Sequence, residues 1–171
     1  QYESFQANPI YLDSAFNFLK KTDSYFPCFV QYYYLKNDDK GLINFVMNNE
    51  VDTAKYSNTD LAMAYSRMGE VYVRNNMSGT AEKYFAKATK LMPFVIDYKI
   101  KQGAFLIKQN QLTASKKVFT SALSLNPTIK EIHLNLGYIS LLEYNFKKAD
   151  LYLKQALAID PDYILAYENL V

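Results

Sequence analysis

The chain is poor in the residues that usually build catalytic, redox and metal sites. Cys28 is the only cysteine, so no internal disulfide can form and no zinc or thiol redox motif is possible. His133 is the only histidine and has no second imidazole with which to build a metal site. Phosphate loops, dinucleotide-binding glycine patterns, zinc protease motifs and nucleophile elbows are also missing. These absences predict that the chain is not an enzyme and that it has no cofactor and no metal.

Other features that the sequence has little of limit the possible folds and partners. Only 5 glycines and 5 prolines occur among 171 residues, which suits an all-helical protein. No apolar run approaches the length of a membrane-spanning helix, and the first residues lack the pattern of a signal peptide. The net charge of +2 gives no electrostatic case for nucleic acid or an anionic membrane. We therefore predict a soluble protein, and an unpaired cysteine is compatible with the cytoplasm or the periplasm.

What the sequence does contain is an internal repeat of 34 residues. Five series of positions keep this period: Pro93, Pro127 and Pro161; Gly69, Gly103 and Gly137; Ala88, Ala122 and Ala156; Ala81, Ser115 and Ala149; Phe85, Phe119 and Leu153. Five series in one phase are typical of a helical repeat array, a kind of fold that more often binds than catalyses.

Each repeat has the pattern of two helices joined by a polar turn. In the first unit the apolar positions are Leu61, Ala64, Tyr65, Met68 and Tyr72, which have helical spacing. A proline ends each second helix because it cannot continue one. The pattern predicts helix pairs at about 60–91, 95–125 and 129–159. It also predicts a close helix–helix contact at each repeated glycine, since glycine inside a helix is otherwise unfavourable.

The repeated residues resemble the tetratricopeptide repeat (TPR) family. The family pattern of leucine–glycine, small, aromatic, small and proline positions is met by the following residues: Tyr65, Met68, Gly69, Tyr72, Ala81, Phe85, Ala88 and Pro93; Leu136, Gly137, Ala149, Leu153, Ala156 and Pro161. The middle unit matches less well, and Lys99, His133 and Ser140 depart from the pattern. The resemblance spans three units over about 60–162 plus the start of a fourth helix pair. It implies an all-α, right-handed superhelical solenoid of antiparallel helix pairs with a concave binding face.

The two ends of the chain differ from the repeats. Residues 1–58 are out of phase and hold nearly half of the aromatic residues, so we predict an atypical helical amino-terminal cap or degenerate repeat, followed by a repeat domain over 59–171. Helices are expected at about 9–20, 27–35 and 42–55, with a turn at 37–41. The alternative is that the aromatic cluster at 26–34 is a binding surface. Residues 163–171 have the pattern of another first helix, whose apolar Ile164 and Leu165 favour further repeats.

The resemblance also implies which residues line the concave groove. The candidate groove residues are Met63, Glu70 and Arg74 from the first unit, Ile100, Ala104, Ile107 and Lys108 from the second, and Leu134, Tyr138 and Leu141 from the third. The positions at which some relatives hold a terminal carboxylate with a Lys/Asn/Arg clamp read Ser66, Glu70, Lys101, Glu131 and Asn135 here. That set is not the clamp, so a co-chaperone function of that type is not expected.

Six of these positions form an apolar strip: Ile100, Ala104, Ile107, Leu134, Tyr138 and Leu141. The strip favours a protein-interaction scaffold that binds a peptide or an amphipathic helix through the concave face. Two alternatives stay open: an assembly module that self-associates or packs against other domains, and an accessory domain of an enzyme. The amino-terminal segment could also cover the strip. The expected partner is another protein or peptide segment, with no nucleic acid, no membrane insertion and a possible homo-oligomer.

Overall fold

A computed structural model describes Ser14, residues 26–48 and residues 52–170. These residues contain α-helices and one short 3-10 helix, Thr53–Lys55, but no β-strand. The α-helices, in chain order, are α1 Phe26–Leu35, α2 Asp39–Asn48, α3 Asn58–Arg74, α4 Ser78–Leu91, α5 Ile96–Lys108, α6 Leu112–Leu125, α7 Lys130–Leu142, α8 Phe146–Ile159 and α9 Ile164–Glu168. The helix predicted at 9–20 lies outside the described residues except for Ser14. The chain divides into two compact units, Gln1–Tyr84 and Phe85–Val171, and the division falls within α4.

The three predicted helix pairs are confirmed as α3–α4, α5–α6 and α7–α8. Contacts in the second pair show that its helices are antiparallel. Lys99 Nζ of α5 donates to Ser121 Oγ of α6 at 3.1 Å, and further along, Ser115 Oγ donates to the Gly103 carbonyl at 2.8 Å. Residue numbers therefore rise on one helix as they fall on the other. The start of a fourth pair is confirmed by α9, which packs against α8.

Two of the repeated glycines lie at the predicted close contacts. A Cβ added at Gly103 would lie 2.5 Å from Phe119 Cε2, and one added at Gly137 would lie 2.9 Å from Leu153 Cγ. The nearest side chain in both cases belongs to the large apolar series rather than to the small one. Each glycine thus makes room for a bulky residue of the second helix, which explains why the two series share a period.

The core of the second compact unit, Phe85–Val171, repeats along the chain in the same way. Phe119 and Ala122 of α6 pack with three residues of the following first helix, namely Ile132, Leu136 and Ile139. One period later, Leu153 and Ala156 of α8 pack with Ala166 of α9. The pairs α5–α6 and α7–α8 therefore each bury apolar residues against the first helix of the next pair, as stacked repeats do.

The same tight turn joins the two helices of every pair. Two residues before the start of each second helix the backbone is left-handed, with φ of 53° at Asn37, 58° at Asn76, 56° at Asn110 and 57° at Tyr144. In each turn the next backbone N–H reaches back five residues to a carbonyl: Asp38 to Tyr33, Met77 to Tyr72, Gln111 to Leu106 and Asn145 to Ser140. This is the Schellman arrangement that ends many helices.

The turn also shows that α1 and α2 form a hairpin of the repeat type. Asn76 follows Asn37 by 39 residues rather than 34, which is why this pair is out of phase in the sequence. The predicted third helix at 42–55 was wrong in its bounds, since α2 begins at Asp39 and ends at Asn48. The helix starts early because Asp38 Oδ1 accepts a hydrogen bond from the Gly41 N–H at 2.8 Å. Such an interaction satisfies a free backbone donor of the first turn.

The aromatic residues of α1 mainly build a local core. Phe26 and Phe29 are buried, and both rings contact Phe45 of α2, with centroids 6.2 and 5.1 Å apart. The ring of Tyr33 contacts Phe45 as well, at 5.9 Å. In the described part of the amino-terminal region, this packing favours the capping interpretation of the aromatics over the binding surface.

Candidate protein-interaction groove

The apolar strip lies in the second compact unit, Phe85–Val171, on the first helices of two neighbouring repeats. Ile100, Ala104 and Ile107 follow each other at helical spacing on α5, and Leu134, Tyr138 and Leu141 do so on α7. The helices α5 and α7 contact each other, and α6 packs against both. The structure therefore brings together the two rows that the sequence suggested as one strip.

Most side chains of the strip are partly buried in the core and partly exposed to solvent. Ile100 and Ile107 pack in part against the cluster formed by Phe119, Ile132 and Leu136, and both are half-buried. Leu134 packs in part against the next cluster, which includes Leu153 and Ala156. Ala104 and Leu141 are half-buried too, whereas Tyr138 is 40% exposed. Tyr138 is thus the strip residue with the most surface available to a ligand.

The charged groups beside the strip differ in how far they are engaged. Asp97 and Lys101 form an ion pair at 3.3 Å near the start of α5. The side-chain amide of Asn135 donates to the Glu131 carbonyl at 2.7 Å. At the far end of α5, Lys108 is exposed and makes no ion pair within the described part of the chain. A ligand carboxylate would therefore meet Lys108 rather than a preformed clamp.

In the first unit, the charged groove candidates are held by the amino-terminal hairpin. The Tyr34 hydroxyl donates to Glu70 Oε2, and Arg74 donates from Nε and Nη2 to the carboxylate of Asp39 at 3.0 and 2.6 Å. Met63 is half-buried. These contacts make Glu70 and Arg74 part of the packing between α1, α2 and α3.

The sequence interpretation missed two members of this cluster. The Tyr34 ring lies 5.4 Å from the guanidinium groups of both Arg67 and Arg74. Arg67 lies one helical turn after Met63 and one before Glu70, so the spacing of the other candidates could have pointed to it. Tyr34 could not be found in this way, because the hairpin that carries it is out of phase.

Electrostatics and burial explain two further features of this unit. The hydrogen bonds from the Arg74 guanidinium hold the pKa of Asp39 below its ordinary value, and the same contact raises the pKa of Arg74. Ser66, which occupies one of the clamp positions, is buried, and its hydroxyl has no hydrogen-bond partner in the described structure. Ser66 is therefore a core residue and is closed to a ligand.

The described residues hold no group of three or more acidic, cysteine or histidine side chains placed to bind a metal ion. Burial, followed by the nearby charge of Asp60, raises the pKa of the Cys28 thiol, so its reactive thiolate form is disfavoured. His133 is buried, and its Nε2–H donates to the Pro127 carbonyl at 2.7 Å. Of the helices in the described ranges, none has the length and apolarity needed to cross a membrane.

Comparison with known proteins agrees with this fold. A family model described as tetratricopeptide repeat matches residues 130–163, which is the third predicted unit. Among solved structures, YrrB, described as a TPR protein with an unusual peptide-binding site, has a TM-score of 0.73 and 18% identity and covers 94% of this chain and 80% of its own. MamA has a TM-score of 0.69 and 17% identity over 82% of this chain and 80% of its own.

A third structure, the first TPR of Spaghetti (RPAP3) bound to an HSP90 peptide, has a TM-score of 0.62 and 13% identity over 67% of this chain and 90% of its own. A search of curated proteins found no match. The match over residues 130–163 and the all-α fold shared with TPR proteins confirm the resemblance. Domains of this kind are typically protein-interaction modules rather than enzymes.

Proposed function

We propose that this chain is a protein-interaction scaffold that binds a peptide or an amphipathic helix along the apolar strip on α5 and α7. The observation that carries the proposal is the position of Tyr138, which is 40% exposed on α7 in a row with half-buried apolar residues. The peptide sites named for YrrB and for Spaghetti support the idea that this fold binds peptides.

The geometry favours a helical ligand with apolar anchors. The two rows of side chains on α5 and α7 form an apolar surface, and an amphipathic helix offers anchors at matching three- and four-residue intervals. An acidic residue of the ligand near Lys108 would form an ion pair at one end of the strip. Because Glu70 and Arg74 already have partners in the first unit, the binding site is assigned to α5 and α7.

A selection experiment tests this proposal. Peptides selected from a displayed library against the wild-type chain should lose binding to a Tyr138→Asp variant, because the substitution places a charge in the apolar surface. A Leu151→Asp variant is the matched control, since Leu151 is an exposed apolar residue of the second helix α8. Both variants should keep the wild-type circular dichroism spectrum. Peptides that bind the Tyr138→Asp variant as well as wild type would place the site elsewhere.

The assembly function is the second candidate, and one feature favours it. The last described helix, α9, exposes Ile164, Leu165 and Tyr167, although Ala166 between them is buried. Apolar residues in that position would suit packing against another helix, from a second copy or another domain. If light scattering finds a dimer that Ile164→Asp converts to a folded monomer, the assembly function is favoured.

A further inference from the structure

The turn between α7 and α8 differs from its two counterparts in the repeats. The three turns have the same backbone, so their residues can be compared one for one. At three corresponding positions, the turn after α3 has Arg74, Asn76 and Ser78, the turn after α5 has Lys108, Asn110 and Leu112, and the turn after α7 has Leu142, Tyr144 and Phe146. We call Leu142, Tyr144 and Phe146 the apolar tip, because only this turn has apolar residues at all three positions.

The apolar tip faces solvent and is not explained by folding. Tyr144 is 81% exposed, Phe146 is 59% exposed and Leu142 is 40% exposed. Tyr144 also has a φ of 57°, a left-handed conformation that asparagine and glycine tolerate better than tyrosine. Asn76 and Asn110 serve the same turn without this strain. Since the Tyr144 side chain is mostly exposed and its backbone conformation is unfavourable for tyrosine, the residue points to a role outside the fold.

Cations without carboxylate partners surround the tip. Lys147 and Lys148 follow it directly and are exposed, and neither makes an ion pair in the region that the structure describes. The preceding turn lies on the same edge, because Lys116 Nζ contacts Glu143 Oε2 at 2.6 Å. That turn adds Lys108 and Lys117, which are exposed and also have no ion pair there. The net charge of +2 does not reveal this local cluster of positive charge, because acidic residues elsewhere in the chain offset the lysines.

We propose that this edge of the second unit docks on the surface of a bilayer that contains anionic lipid. Tyr144 and Phe146 would enter the interfacial layer, where aromatic side chains are favoured, and the four lysines would face the headgroups. The tip does not span the membrane, and its residues lie in a turn at the end of a helix pair.

The size of the tip favours a bilayer over a second protein. Two aromatic side chains of about 150–250 Å² each, exposed to the extent seen here, and part of a leucine offer roughly 350 Å². A stable protein interface needs about 800 Å² from each partner. A bilayer accepts a small convex apolar tip without a complementary pocket, and the lysines match its negative surface charge.

The first test uses the fact that the chain has no tryptophan. A Tyr144→Trp variant carries a single reporter in the tip, and a Phe94→Trp variant carries one in the loop before α5, where Phe94 is 79% exposed. The 13-residue helix α5 places that loop about 20 Å from the lysine-bearing turn at its other end. With phosphatidylcholine vesicles that contain about 30% phosphatidylserine, only the Tyr144→Trp variant should show a blue shift, and high salt should reverse it.

The second test measures co-sedimentation with the same vesicles. The double variant Tyr144→Asn/Phe146→Ser has the residues of the turn after α3, so its fold is retained, and its vesicle binding should fall about tenfold or more. The double variant Lys147→Gln/Lys148→Gln should lose a similar factor. Phe94→Ser removes an equally exposed aromatic residue elsewhere and should bind as wild type does.

Three results would overturn the proposal. They are no binding of wild type to the anionic vesicles, equal losses for the tip variant and the Phe94→Ser control, and a blue shift that does not depend on phosphatidylserine. A defined protein that binds wild type but not the tip variant, in the absence of any vesicle binding, would assign the tip to a protein pocket instead. These results are independent of peptide binding at Tyr138.

Discussion

Replacing Gly103 by alanine is the sharpest test of how the repeats pack. The added Cβ would lie 2.5 and 2.6 Å from Phe119 Cε2 and Cζ, which is closer than such atoms approach in proteins. Phe119 is fully buried between α5 and α7, so a movement of its ring would disturb the core residues packed around it. Either the ring or one of the helices must shift.

The expected change in the free energy of unfolding combines two opposing effects. Overpacking of a core typically destabilises by about 1–3 kcal/mol. Alanine in place of glycine in a helix stabilises by up to about 1 kcal/mol. We therefore expect Gly103→Ala to lower the free energy of unfolding by up to about 2 kcal/mol, and to be less stable than the same substitution at an open glycine. Gly79 is the matched control, because it also lies in a helix but has no atom within 4 Å of an added Cβ. Gly79→Ala should be neutral or slightly stabilising.

Urea unfolding followed by circular dichroism measures both variants, and a double-mutant cycle identifies the cause. Phe119→Leu introduces the side chain that Leu153 presents to Gly137 in the next pair. In that background Gly103→Ala should be less destabilising than in wild type, with a coupling energy of at least about 0.5 kcal/mol. If Gly103→Ala is as stable as Gly79→Ala, or if the cycle shows no coupling, the glycine does not serve this contact.

Three further predictions concern single residues. Ser66→Ala should raise the free energy of unfolding by about 1 kcal/mol, because it removes a buried hydroxyl without a partner; a lower urea midpoint would show a hidden hydrogen bond. Tyr144→Asn should raise the melting temperature, since it relieves about 1 kcal/mol of left-handed strain; an unchanged value would contradict this. Asp39→Asn should destabilise modestly at neutral pH, because it breaks the contact with Arg74. The pKa of Asp39 is lowered in the folded state, so the ionised carboxylate contributes fully to the free energy of unfolding above the ordinary carboxyl range. The difference in this free energy between wild type and Asp39→Asn should therefore shrink as the pH falls below about 4. A difference that does not depend on pH would refute the stabilising role of the Asp39–Arg74 contact.

The candidate groove shows how far the sequence could reach. Helical spacing places Ile100, Ala104 and Ile107 on one face, because the positions of side chains around a helix follow from the number of residues per turn. The exposed fraction of each side chain could not be predicted. Ile100 is half-buried because residues of α6 and α7, distant in the sequence, close over part of it. Packing between helices, and not periodicity within one helix, separates Tyr138 from its more buried neighbours.

What the sequence by itself determined is the local structure and its repetition. The period of 34 residues, the prolines and the glycines were enough for the bounds of three helix pairs, because these features act on the backbone nearby. Only the tertiary structure decided which charges are already paired. Arg74 meets Asp39 across 35 residues, in a hairpin whose five-residue offset removes it from the repeat pattern. The tertiary structure also decided that Tyr144 is exposed and has a left-handed backbone, since a residue type alone does not reveal whether its side chain contacts a neighbour or the solvent.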